Sequence, residues 1–177
     1  MSRTRRWRRV LFHMIVFSMF GAMMFCSKFI MEGLPNIHPV AMFVILLTVV
    51  YRSRALIPIY IYVILDGLRW GFGIAWLPYL YIWLILWGAA MLLPRSAPRW
   101  VKLICYPTIA TLHGLLFGIM YAPAQSLLFG LNFEQTVAWV IAGFPYDVLH
   151  GVGNFVMSLL VMPMSELLFK LENKYGK

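Results

Sequence analysis

Apolar residues fill this chain so completely that the few charges, rather than the hydrophobic stretches, mark its organisation. Arg9 and Lys28 bracket 18 uncharged residues, Val10 to Ser27, and Glu32 and Arg52 bracket 19 more, Gly33 to Tyr51. Between Arg54 and Arg69 the only charge is Asp66. Arg69 and Arg95 enclose Trp70 to Pro94, Lys102 and Glu134 enclose Leu103 to Phe133, and Asp147 and Glu166 enclose Val148 to Ser165. A membrane-crossing helix needs about 20 predominantly apolar residues. The pattern therefore predicts an all-α integral membrane protein. Its six transmembrane helices fall near 9–30, 38–51, 55–69, 75–94, 101–122 and 144–170, within a single domain covering residues 1–177. Gln135–Tyr146 reads as a further short or interfacial helix.

Composition excludes the alternatives. Of the 177 residues, 62% are hydrophobic and 12% charged, and the mean hydropathy is +0.81. A soluble domain carries roughly 25% charged residues. The net charge of +9 would suggest nucleic acid in a soluble protein; in a membrane protein it is read as topology. With six spans and a cytoplasmic N-terminus, the inner segments hold Arg3, Arg5, Arg6, Arg8 and Arg9, then Arg52 and Arg54, then Arg95, Arg99 and Lys102, then Lys170, Lys174 and Lys177. That is 5 + 2 + 3 + 3 = 13 of the 15 Lys and Arg residues, leaving Lys28 and Arg69 outside. One missed helix would scramble every later loop, so both termini are expected in the cytoplasm, in a multi-pass membrane protein. Cys26 and Cys105 lie inside apolar runs and read as packing residues.

Four constellations could carry function. On helix 1, Ser18, Ala22 and Cys26 recur every four residues between bulky flanks, a small-residue face on which another helix can approach closely. Packing inside the chain's own bundle is the plain alternative. The outer loop Glu32-Gly33-Leu34-Pro35-Asn36-Ile37-His38-Pro39 is held out of helix by two prolines and presents Glu32, Asn36 and His38. At the start of the last span, Tyr146, His150 and Asn154 share a face, with Asp147 alongside. Polar groups at membrane depth are costly and normally meet a cavity or a partner. Helices 4 and 5 carry aromatic stripes, of which the outer ends (Trp76, Tyr79, Tyr121, Gln125) suit ligand contact, and the third outer loop adds Asp66, Arg69 and Trp70.

Some chemistry is missing from the chain. No G-x-x-x-x-G-K-[ST] run is present, so solute movement uphill would need a partner to hydrolyse ATP. No H-E-x-x-H, G-x-S-x-G or paired-cysteine motif accompanies His113, His150 and Asp147; no catalytic or metal-ligating residue and no cofactor is expected. Intramembrane hydrolysis remains only a minor alternative, behind a non-transport membrane scaffold that assembles through helix 1.

The layout resembles the substrate-binding S component of energy-coupling factor (ECF) vitamin transporters. The likeness rests on six helices in under 200 residues, the small-residue face of helix 1, Leu34-Pro35-Asn36-Ile37-His38-Pro39, and Gly143-Phe144-Pro145-Tyr146-Asp147 before a Gly- and Asn-bearing last helix. It implies a coupling transmembrane subunit and two cytosolic ATPases as partners. It also implies docking of the coupling subunit on Ser18 and Ala22, where the family usually has two alanines. A vitamin site is implied near the outer surface, between helices 4–6 and loops 1, 3 and 5. Among vitamins, cobalamin is the first expectation. Membrane lipid is the remaining partner, and no nucleic acid is expected.

Overall fold

A computed structural model describes residues 3–175, with side chains from Trp7 onward. Lys177 and the side chains of Arg3, Arg5 and Arg6, counted above, lie outside the described residues. The described chain is all-helical: α1 (Arg3–Ile30), α2 (Val40–Tyr51), a short 3₁₀ turn (Arg52–Ala55), α3 (Leu56–Trp70), α4 (Tyr79–Leu92), α5 (Arg99–Leu115), α6 (Phe117–Phe129), α7 (Phe133–Ser158) and α8 (Val161–Tyr175). Three stretches, Trp7–Ile30, Val40–Trp70 and Arg99–Phe129, are long and apolar enough to cross a membrane. The α7 and α8 pair, bent by 45° at its junction, makes a fourth when counted as one span.

The bundle is organised around α2. All twelve of its residues are buried, including Thr48, whose hydroxyl donates to the Val44 carbonyl at 2.6 Å. A helix apolar on every side belongs in a protein interior, and α2 packs against α1, α4, α5, α7 and α8. Fully buried Trp83, Tyr62 and Tyr106 fill the space around it. Large apolar side chains such as Ile141, Val152 and Phe155 on α7 stay exposed on the outer surface, as lipid contact demands.

Two arginines close the ends of α2 and its neighbour α4 reciprocally. Arg52, just past α2, donates to the carbonyls of Met91 (2.6 Å) and Leu93 (3.2 Å) at the end of α4. Arg95, just past α4, donates to the carbonyls of Val49 and Val50 at the end of α2. Each cation thus meets the unpaired carbonyls and negative dipole end of the other helix. Arg52 itself turns the chain at φ 55°, unusual for a residue with a Cβ. Beyond it α3 runs back: Trp76 Nε1, in the turn before α4, donates to Val63 O at 2.8 Å, and Asp66 sits near Tyr79 at the first turn of α4. The long apolar stretch Val40–Trp70 is therefore a hairpin, with Arg52–Ala55 at its bend.

Close backbone approach fixes two further pairs. A Cβ on Gly21 of α1 would overlap the Ile61 side chain of α3 and lie 3.2 Å from Pro58 O. A Cβ on Gly114 of α5 would lie 2.7 Å from Gly151 N and 2.8 Å from its Cα on α7.

Several expected boundaries move. The span placed at 75–94 is helical only from Tyr79, because Gly71 (φ 89°) and the turns after it delay α4 until Pro78 starts it. The span placed at 101–122 extends over Arg99–Phe129: Leu116 joins α5 to α6, its N–H donating to Leu112 O and its own carbonyl accepting from Met120. Gly130 at φ 65° ends it. The span placed at 144–170 begins at Phe133, behind a capping box in which Asn132 and Gln135 bond each other's backbone N–H at 2.9 Å. The supposed separate helix Gln135–Tyr146 is the first half of α7.

Replacing Arg52 or Arg95 by Ala is expected to cost about 2 kcal/mol each, since each loses charge-assisted bonds to helix-end carbonyls. Arg99→Ala, whose 3.3 Å pair with Glu166 is exposed, should cost under about 1 kcal/mol. Denaturant unfolding in detergent micelles measures the difference.

Candidate functional site

The ends of α1, α3 and α4 opposite the arginine pair converge on a buried ion pair. Lys28 Nζ lies 2.6 Å from Asp66 Oδ1, 3.4 Å from the Tyr79 hydroxyl and 4.7 Å from the centre of the Tyr79 ring. Asp66 is 4% exposed. In an apolar surrounding neither charge is stable alone, so the carboxylate, the ammonium and the aromatic face hold one another. A cavity of about 260 Å³ opens on one side, bordered by Lys28, Glu32, Asn36, His38, Trp70 and Tyr79. Another of about 480 Å³ shares Lys28, Asp66, Trp70 and Tyr79, and reaches Trp76 and Tyr121. The ion pair is the partition between them.

Beneath the first cavity lies a polar cluster in the bundle interior. His38 sits 5.2 Å, ring centre to ring centre, from His150 of α7 and 6.4 Å from Trp83 of α4. His113 of α5 lies 5.4 Å from Trp83 and 6.5 Å from His150, and Phe117 packs 4.8 Å from His150. His113 Nε2 has Ile82 O at 3.2 Å, and Asn154 donates to Ala110 O at 3.2 Å. Seven other polar atoms here are buried with no hydrogen-bond partner: His38 Nδ1, Tyr62 Oη, Trp83 Nε1, His113 Nδ1, both ring nitrogens of His150, and Asn154 Oδ1. Each such atom costs roughly 1–3 kcal/mol when left unpaired, so this concentration marks hydrogen-bonding capacity held for something polar. Among the described residues, no group of three or more His, Cys, Asp and Glu side chains is arranged to hold a metal ion.

The structure brings many of the anticipated residues together and sets others apart. Glu32, Asn36, His38, Asp66, Trp70, Trp76, Tyr79 and Tyr121 border the two cavities, and His150 and Asn154 form the floor of the cluster. Asn36 adopts φ 56° and donates to Tyr146 O at 3.3 Å, pinning the loop to α7. Tyr146 itself points outward, 54% exposed. The buried Asp147 carboxylate turns away from His150 and accepts the Gly118 N–H at 3.1 Å. Arg69 is exposed over the rings of Trp70 (4.5 Å) and Phe29 (5.5 Å). Gln125 lies further along α6, outside both cavities.

Lys28, Tyr62, Trp83, His113 and Phe117 belong to the site and were not among the candidates. One signal was in the sequence: Lys28 and Arg69 were the two cations on the wrong side of the charge distribution, and it is Lys28 that is partly buried and paired. Ser18, Ala22 and Cys26 are all exposed on α1, while Phe17, Phe20, Gly21 and Met24 are turned into the bundle. No protein-family model matches the chain, no curated protein resembles it, and no solved structure is similar to it.

Removing one member of the buried ion pair should be far worse than removing both. Lys28→Met or Asp66→Leu alone is expected to lower stability by about 3 kcal/mol, and the two together to recover most of the loss. Denaturation of the four proteins in matched micelles gives the double-mutant cycle.

Proposed function

We propose that this chain is the substrate-binding subunit of an ECF-type vitamin importer, with six membrane crossings and its arginine-rich end in the cytoplasm. The observation that carries the reading is the partner-seeking polar cluster of His38, Trp83, His113, His150 and Asn154 beneath an open cleft. Six crossings follow from counting the hairpin α2–α3 as two, with α1, α4, α5–α6 and α7–α8 completing the set. Arg9, Arg52, Arg54 and Arg95 then share one recess on the cytoplasmic side, where the positive-inside rule wants them. Binding in a membrane receptor needs few, well-placed polar groups on an aromatic wall. The Lys28–Asp66 pair offers a donor and an acceptor to a polar substituent, the histidines offer donors and acceptors to a heterocycle, and Trp70, Trp76 and Tyr79 offer faces for stacking.

The larger cavity, about 480 Å³, lies in the range of roughly 300–1,000 Å³ that holds a drug-sized molecule, and the smaller, about 260 Å³, falls just below it. A small heterocyclic vitamin fits this cleft directly; cobalamin, the first expectation, would require the loops to part. The exposed face Ser18–Ala22–Cys26 supports docking of a coupling subunit backed by two ATPases. The same face favours the second reading, a membrane scaffold with no small-molecule ligand.

A thermal-shift screen against a vitamin panel that includes cobalamin separates these readings. Ligand at one hundred times its Kd stabilises the folded state by about 2.7 kcal/mol, so one compound should raise the melting temperature by several degrees. His150→Ala should abolish the shift while the protein remains folded. No shift from any compound, with partners still copurifying, establishes the scaffold instead. In cells supplied with the coupling module, Ala22→Trp should abolish uptake and leave ligand binding in detergent unchanged.

A further inference from the structure

The opposite end of the molecule carries a second recess that the substrate cleft does not use. About 400 Å³ in volume, it is bordered by Arg9, His13, Tyr51, Arg52, Arg54 and Arg95. It opens through Arg9, His13 and Arg54 into an outward-facing groove of about 650 Å³ between α1 and α3, walled by Val10, Met14, Phe17, Ile57 and Ile61. The groove has a structural cause: α1 and α3 are pinched together where Gly21 meets Ile61 and Pro58, and below that pinch the two helices part. From Arg9 up to Ser18 it runs about 13 Å at the helical rise of 1.5 Å per residue.

The charges in the recess are not equivalent. Arg52 and Arg95 are committed to the carbonyl ends of α4 and α2. Glu172, the acid of the recess, meets His13 through Oε1 at 2.6 Å, and its Oε2 is buried without a partner among the described residues. Arg9 and Arg54 are exposed and, among the described residues, their guanidinium groups make no ion pair and no hydrogen bond. Two uncommitted guanidinium groups, backed by two further arginines, call for an anionic oxygen acceptor. An apolar groove continuous with them calls for a hydrocarbon chain. Only a ligand that joins both chemistries satisfies the whole feature, and membrane proteins bind anionic lipid headgroups in basic pockets of this kind.

We propose that this end of the molecule seats one anionic phospholipid, with its phosphate between Arg9 and Arg54 and an acyl chain in the α1–α3 groove. The chain would end beside Ser18, so the seated lipid borders the small-residue face of α1. The inference is independent of what the substrate cleft binds.

Native mass spectrometry of the full-length protein, titrated in micelles with phosphatidylglycerol or with phosphatidylcholine of identical chains, tests this. One phosphatidylglycerol should be retained at least tenfold more tightly than phosphatidylcholine. Arg9→Gln with Arg54→Gln should erase that preference, and Arg99→Gln, at the exposed pair with Glu166, should preserve it. Ile57→Trp, which fills the groove and leaves both arginines, should weaken retention of phosphatidylglycerol as well. Equal retention of the two lipids, full retention by the double variant, or unchanged retention by Ile57→Trp overturns the proposal. So does stabilisation by glycerol phosphate alone as strong as that by the lipid, which would make the recess a soluble-phosphate site. Normal folding of each variant is read from its unchanged elution volume and helical circular dichroism.

Discussion

The carbonyl end of a short, wholly buried helix is the constraint around which this molecule is arranged. At twelve residues, α2 spans about 18 Å, less than the hydrocarbon thickness of a bilayer. Its last carbonyls would be stranded among apolar side chains if nothing reached them. Arg95 reaches them, and Arg52 does the same for α4. The exchange ties two helices that are not consecutive in the chain, and it places their guanidinium groups at one level. With that level set, α3 turns back from Arg52–Ala55 and the far ends of α1, α3 and α4 arrive together at Lys28, Asp66 and Tyr79. One end of the bundle is closed by arginine on carbonyl, the other by lysine on carboxylate. The second closure is the one interrupted by cavities.

That difference separates structural polarity from the polarity left over. Arg52, Arg95, Thr48 and Asp147 each satisfy a backbone group or are satisfied by one. Trp83 of α4, His113 of α5, and His150 and Asn154, four apart on α7, sit equally deep with capacity unspent. Had packing been the sole requirement, apolar residues of similar volume would fill these positions at lower free-energy cost. The surplus is concentrated under His38, which also borders the outer cleft, so the interior cluster and the cleft form one continuous polar path.

Much of the helical layout was legible because lipid tolerates so few charges. Lys28, Glu32, Arg52 and Arg95 each lie at or near a helix end or turn, whereas α1 runs on through Arg9. Boundaries set by backbone geometry were less visible. Gly71 delays α4, and the Asn132–Gln135 box starts α7 eleven residues before the expected position, in a stretch whose Glu134 looked like a loop marker. Helix rotation was the harder problem. Tyr146, His150 and Asn154 share a spacing of four, but each such step turns a side chain by about 40° around the axis. With His150 and Asn154 inside, Tyr146 has rotated to the rim. Asp147 was read as a neighbour of His150, yet Gly118 leaves room on α6 for its carboxylate to take a backbone N–H. The sequence offers no sign of which of several apolar faces of α4 turns inward, so Trp83 could not be singled out from the other aromatic residues around it.

The contact of Gly114 with Gly151 has a bearing on how the interior could be reached. Main chain lies against main chain there, directly behind His113 and His150, and neither strand of that seam owns a rotamer with which to yield. The rear wall is accordingly a fixed surface. Whatever comes into register with the histidines must do so from the front, past the irregular proline-bounded segment that holds His38, and the path to the imidazoles is therefore one-sided by construction.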